Sequence, residues 1–245
     1  MKRFSSWLAV AFVLCVLARA TFAAEVESHF DAANQLYEQG RFAEAASAYD
    51  GLIRSNAVSS TVYFNLGNAR FKAGEAGQAI AAYRNAQELS PRDPDLRANL
   101  QFVRNQIQGP NAQPDRWQSW LGRLTVNEWT ILAAVPFWAL LLLLTAIQLR
   151  PRLRATLRGF VWLGGMATVA FTALLISTWQ THSRPTAIVT TRDAVVRNGP
   201  LEESQSTFTV HDGAELKLLD QKNDWVQIGV GDRIGWLKRE QVIVD

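Results

Sequence analysis

Tyr63-Phe-Asn-Leu-Gly-Asn-Ala-Arg-Phe-Lys-Ala-Gly74, followed by Ala79, Tyr83, Ala86 and Pro91, is the stretch that decides the fold. Apolar and small residues recur at helical spacing on both sides of Gly74. Pro91 ends the second run, because proline lacks an N–H and clashes with the preceding turn. The pattern predicts a helical hairpin in which Gly67 and Ala79 are small where the two helices press together. A fainter copy precedes it at a spacing of 34 residues, with Gly40 for Gly74, Ala45 for Ala79 and Tyr49 for Tyr83. A fixed period of this length marks a stacked repeat rather than one globular core. The earlier copy departs at Ala33, where Gly67 stands in the later one, and at Ala57, where Pro91 stands.

Leu66, Gly67, Gly74, Ala79, Tyr83, Ala86 and Pro91 fall at signature places of the tetratricopeptide repeat, which this stretch resembles. A further helix over residues 93–104, with an apolar stripe at Leu96, Leu100 and Val103, is placed to cap the second repeat. Residues 25–106 are therefore expected to form an all-α tetratricopeptide solenoid of two repeats plus a capping helix. The resemblance implies a concave face that takes partner proteins, with Asn34, Asn65, Asn68 and Arg70 near it. Polar side chains there could hydrogen-bond an extended partner backbone, or the asparagines could be satisfied within the hairpins. Relatives that clamp a C-terminal carboxylate carry lysines where this chain has Phe30 and Asp95, so a general peptide or protein surface is the expectation.

Outward from the repeats, apolar content concentrates in three runs. The overall 48% hydrophobic and 19% charged composition excludes a disordered chain. Lys2 and Arg3 precede a short apolar run and Thr21-Phe22-Ala23, the layout of a secretory signal peptide over residues 1–23. Cys15 is the only cysteine, so after cleavage no disulfide, thiol nucleophile or cysteine-bound metal is expected. Residues 129–149 and 160–179 are uncharged and long enough to cross a hydrocarbon core. Between them, residues 150–159 hold Arg150, Arg152, Arg154 and Arg158 and no acid, which places this loop in the cytoplasm by the positive-inside rule. Both flanks then lie outside, in agreement with the signal peptide. Residues 107–128 read as a linker and an interfacial segment, with Trp117, Trp120 and Trp129 at the outer headgroups. Neither span holds an ionisable residue, which argues against transport. Gly164, Thr168 and Thr172 form a small-residue face on the second span, where either the first span or a partner helix could dock.

Residues 186–245 change to short β-branched runs punctuated by Asn198-Gly-Pro200, Asp212-Gly213, Lys222-Asn-Asp224 and Gly231-Asp232, which predicts a small all-β barrel. Val196-Arg-Asn-Gly-Pro200, Asp212-Gly213, Asp224-Trp-Val226 and Gly235-Trp-Leu237 in that order are similar to bacterial SH3-like domains. Trp225 and Trp236 are expected as core residues with exposed edges, or as a groove for peptide or the stem peptide of peptidoglycan.

The net charge of +3 does not describe a nucleic-acid binder. Residues 25–106 carry 8 basic and 10 acidic side chains, residues 185–245 carry 7 and 10, and the basic excess lies beside the apolar runs. His29, His182 and His211 are scattered, and no nucleophile elbow, phosphate loop or metal-ligand spacing is present. No catalytic residue, metal or cofactor is expected. The order of modules, with Leu124-Thr-Val-Asn-Glu-Trp129 opening the first span, is similar to the BatE-type proteins of the aerotolerance operon. That resemblance implies a non-enzymatic adaptor or assembly protein of the bacterial inner membrane, with both soluble domains in the periplasm. It implies partners among membrane proteins with von Willebrand factor A domains and a cytoplasmic MoxR-type ATPase. A peptidoglycan-binding envelope sensor acting through the SH3-like domain is the alternative.

Overall fold

The computed structural model describes residues 24–107, 116–182 and 185–244. The expected signal peptide lies outside the described residues, as does most of the expected linker. Five helices open the chain: α1 (residues 24–38), α2 (Phe42–Arg54), α3 (Ser60–Lys72), α4 (Ala76–Leu89) and α5 (Pro94–Gln106). Gly40 and Gly74 stand at equivalent turns with φ of +76° and +85°, a left-handed backbone that favours glycine. The α3–α4 hairpin closes on Gly67, where an added Cβ would lie 2.7 Å from the Tyr83 ring. Ser59 caps α3 by accepting from Val62 N–H, and Asp93 caps α5 through Asp95 and Leu96 N–H.

A six-residue helix, α6 (Arg116–Leu121), leads to α7 (Val126–Leu149). Thr125 and Glu128 start α7 with a reciprocal capping box, and Trp129 Nε1 donates to the Leu121 carbonyl at 3.0 Å, fixing the elbow between the two helices. A turn of 3₁₀ helix over Pro151–Leu153 reverses the chain into α8 (Arg154–His182). Both long helices are apolar enough to cross a membrane, with mean hydropathies of 2.3 and 1.9 over their apolar windows. The turn is shorter than the ten-residue loop expected: Arg154 and Arg158 already belong to α8. Pro151 sets the break, and the Arg-Ala-Thr-Leu-Arg run that follows has no residue to delay helix formation.

The remaining chain folds into seven strands: β1 (Thr186–Val189), β2 (Asp193–Arg197), β3 (Ser206–His211), β4 (Glu215–Lys222), β5 (Trp225–Val230), β6 (Arg233–Lys238) and β7 (Val242–Val244). They form one antiparallel sheet in the order β3-β2-β6-β5-β4-β1-β7. The expected barrel is corrected to an open sheet, because β3 and β7 end it and make no ladder with each other. Its weakest seam is between β2 and β6, which share the single register pair Arg197↔Trp236 beside a bulge at Val196/Arg197. The sheet nevertheless curls over one apolar cluster that includes Val189, Val196, Leu216, Ile228 and Leu237.

The helical and β regions are packed together. Ile188 of β1 is fully buried in a cluster with Ile80, Tyr83, Leu100 and Val103. At the same seam Glu215, with no exposed side-chain surface, accepts from Arg104 Nε and Nη2 at 2.7 Å each, and Arg84 reaches it at 3.3 Å. Asp212 accepts from the Ala76 and Gly77 N–H groups at 2.8 and 3.0 Å. It thereby satisfies donors at the start of α4 that Glu75, at the N-cap position, leaves without a side-chain acceptor. A Cβ on Gly77 would stand 1.9 Å from the Val189 carbonyl oxygen, so this close approach requires glycine.

Candidate partner-binding groove

The first helix of each hairpin, α1 and α3, together with α5, contributes one polar rung to a common face. Asn34 Oδ1 accepts from Tyr49 OH at 2.6 Å and from Asn65 Nδ2 at 3.2 Å. One repeat later, Asn68 Oδ1 accepts from Tyr83 OH at 2.6 Å and from Asn99 Nδ2 at 3.1 Å. The two sets are related by the same shift of 34 residues that relates Gly40 to Gly74. The tyrosines come from the second helices, α2 and α4, and are buried up to their hydroxyls. Burial pushes both phenols above the ordinary range, although the amides of Asn65 and Asn99 act in the opposite direction.

Each rung consumes one carbonyl oxygen and one amide donor. The Asn34 and Asn68 Nδ2 groups and the Asn65 and Asn99 Oδ1 atoms remain, a donor and an acceptor at each step. Asn34, Tyr37, Glu38, Tyr49, Asn65 and Asn68 line a depression of about 230 Å³ on this face. Asn34, Asn65 and Asn68 are thus brought together, serving both as internal braces and as groove lining. Arg70 is not free to join them: its guanidinium binds Asp50 of α2 and bonds Glu75 at 2.6 Å, tying neighbouring helices together. Tyr37, Glu38, Tyr49, Tyr83 and Asn99 are the groove and rung residues that sequence reasoning missed. The period itself could have supplied Asn99, which follows Asn65 by 34 residues.

Other expected sites fall elsewhere. Strand parity puts Trp225 and Trp236 on the face opposite Val226, Ile228 and Leu237, where Trp236 is nonetheless buried and Trp225 half-buried. The register pairs Gln227↔Trp236 and Trp225↔Lys238 put the two indoles diagonally on that outer face. Lys238, on the same face, bonds Glu202 of the 198–205 loop at 2.5 Å, and Arg197 donates to the Ser204 carbonyl at 2.9 Å. Gly164 faces α7, where an added Cβ would meet Leu140 at 3.7 Å. Thr168 bonds the Gly164 carbonyl at 2.7 Å, and Thr172 is exposed. Arg150, Arg152, Arg154 and Arg158 are all exposed around the α7–α8 turn. His211 bonds Asp193 at 2.7 Å, and no group of three metal-ligating side chains occurs among the described residues.

Residues 30–94 match the family model of the tetratricopeptide repeat. This segment of the chain is a protein–protein interaction module. No curated protein matches the chain.

Proposed function

We propose that the chain is a membrane-anchored adaptor that holds an extended segment of a partner protein in the groove of its repeat domain. The observation that carries this reading is the two-rung asparagine–tyrosine ladder across α1, α3 and α5. Each rung is rigidly braced from below and offers a backbone-like donor and acceptor from above. Such groups pair with a peptide main chain as a neighbouring strand does. α7 and α8 anchor the molecule, and the exposed arginines at their turn support a cytoplasmic position for that turn. Both soluble regions then face the periplasm, with the C-terminal sheet as an SH3-like domain. In the BatE-type context the work is assembly of an envelope complex, with von Willebrand factor A membrane proteins and a MoxR-type ATPase as partners. No step of it requires covalent chemistry by this chain.

Site-specific photocrosslinking in the native membrane tests the proposal. A photoreactive residue at Lys72, exposed on α3 beside Phe71, is expected to capture a membrane protein, and the capture is expected to fail when Asn68 and Asn99 are both alanine. Capture that survives the double substitution removes the groove from the mechanism. The half-buried Trp225 on the outer face of the sheet favours a second reading, a sensor that contacts peptidoglycan. Crosslinks from position 225 to murein fragments, with none from position 72, would select it.

A further inference from the structure

The groove's charge and its aromatic end narrow the partner further, on the basis of the groove reading above. Glu27, Asp31, Asn34 and Glu38 follow one another at spacings of four, three and four, so they lie on one stripe of α1. The three acids are exposed, and none forms an ion pair among the described residues. At the other end, Phe71 and Phe102 meet edge to face with ring centroids 5.7 Å apart, and Phe102 is 54% exposed. Phe71 follows Asn68 by three residues and Phe102 follows Asn99 by three. The ring pair therefore joins the same two helices as the Asn68–Asn99 bond, one turn further along the same face. An exposed phenyl pair beside unsatisfied amides favours an apolar side chain on a bound main chain. An acidic stripe beside the other rung attracts a cation and repels a C-terminal carboxylate, and Phe30 and Asp95 supply no counter-charge for one.

Distance fixes the spacing. Packed helices lie about 8–10 Å apart, and an extended chain advances about 3.3 Å per residue. One step from α1 to α3, or from α3 to α5, spans about three residues, and the whole groove about six. Side chains of an extended segment alternate in direction, so an even separation keeps both anchoring side chains on the groove side. We infer that the groove selects an internal, extended peptide segment with a lysine or arginine over the α1 stripe and a large apolar residue about six positions away over Phe71 and Phe102.

The test uses the full chain in detergent micelles and fluorescence anisotropy of labelled, C-terminally amidated dodecapeptides. The reference probe carries one arginine and one phenylalanine six positions apart on a serine–asparagine–glycine background. It is expected to bind at least about tenfold more tightly than probes with glutamate for arginine, with serine for phenylalanine, or with the two anchors two positions apart. Its affinity is expected to fall with added salt. It is also expected to drop at least about fivefold in Phe102→Ala, and likewise in the triple variant Glu27→Gln, Asp31→Asn, Glu38→Gln. Circular dichroism checks that each variant is folded. Equal affinity for all probes, with loss only in Asn68→Ala/Asn99→Ala, overturns the selectivity and leaves the groove standing. Binding that ignores the asparagines as well overturns both, and so does failure of every probe to bind. A preference for the free-acid form of the reference probe overturns the internal-segment assignment.

Discussion

Gly67 and Tyr83 show how one contact sets the geometry of the repeat. Gly67→Ala places a methyl group 2.7 Å from the Tyr83 ring. It is expected to cost about 1–3 kcal/mol by overpacking, read as a lower thermal midpoint of the helical signal. The need for a small residue at this place was legible in the sequence, because Gly67 falls at a signature place of the repeat and its counterpart 34 residues earlier, Ala33, is small as well. The mutual satisfaction of Asn34, Asn65, Asn68 and Asn99 was not. Whether an amide braces a tyrosine hydroxyl or faces a groove depends on side chains 15 and 31 residues away. The same contacts give the domain an alkaline sensitivity. Tyr49 and Tyr83 hold their protons more tightly in the folded state than in the unfolded chain, whose phenols titrate near 10. Above that pH the folded state binds more protons than the unfolded one, so stability is complete below it and falls as pH rises through the folded values. Urea unfolding at increasing pH should show this decline, with phenolate absorbance rising as the domain opens. Tyr49→Phe/Tyr83→Phe is expected to be less stable at neutral pH, through the lost hydrogen bonds, yet to show a shallower alkaline loss.

α4 and α5 are shared between two structures, and stability at this scale resides in the seam. α5 turns Asn99 and Phe102 toward the groove and Val103 and Arg104 toward β1 and β4. The sequence predicted α5 as a capping helix from its stripe at Leu96, Leu100 and Val103. Nothing in it announced that Arg104 would meet a carboxylate 111 residues later. The strands were legible from alternation and turn residues, whereas an open sheet docked on helices depends on contacts that a local pattern does not encode. Trp225 and Trp236 illustrate the limit. Strand parity gives the inner face to Val226, Ile228 and Leu237, yet Trp236 is buried on the opposite face, which alternation along one strand does not encode. Arg104→Met leaves Glu215 buried opposite Arg84 alone, at 3.3 Å. Removing one partner of a buried pair typically costs about 3–5 kcal/mol, and Arg84 is expected to keep the loss at the lower end. Arg104→Met with Glu215→Leu should recover much of the stability, since an apolar pair of similar volume replaces the buried charges. Gly77→Ala should also loosen the docking, because its methyl group would meet the Val189 carbonyl oxygen of β1 at 1.9 Å and the Asp212 carboxylate at 2.7 Å. Both effects can be measured on the full chain by thermal unfolding, with near-ultraviolet dichroism reporting the aromatic packing.

At the scale of the whole molecule, docking and membrane topology constrain each other. The chain leaves the repeat domain, runs through two long apolar helices and returns to place β1 and β4 against α4 and α5. If α7 and α8 cross a membrane, that contact requires residues 24–107 and 185–244 to lie on one side of it, and the two helices then cross as a hairpin with their turn on the other side. Arg92 on the repeat domain bonds Glu128 in the first turn of α7 at 2.6 Å, which ties the domain to the start of that helix. On the proposed reading the four exposed arginines at the turn give the hairpin its direction, since arginine-rich short loops stay in the cytoplasm. A reporter active only outside the cytoplasm is therefore expected to work when fused after Gln106 or after Asp245 and to be silent when fused after Arg154. Activity after Arg154 reverses the direction but leaves the hairpin intact. Opposite results at Gln106 and Asp245 go further, because two domains on opposite sides of a bilayer cannot share the Arg104–Glu215 bond. The two results separate the charge rule from the docked fold. Replacing Arg150, Arg152, Arg154 and Arg158 by glutamine tests the first alone. If those charges orient the hairpin, the variant should populate both orientations, with reporter signals at Gln106 and Asp245 falling together rather than independently.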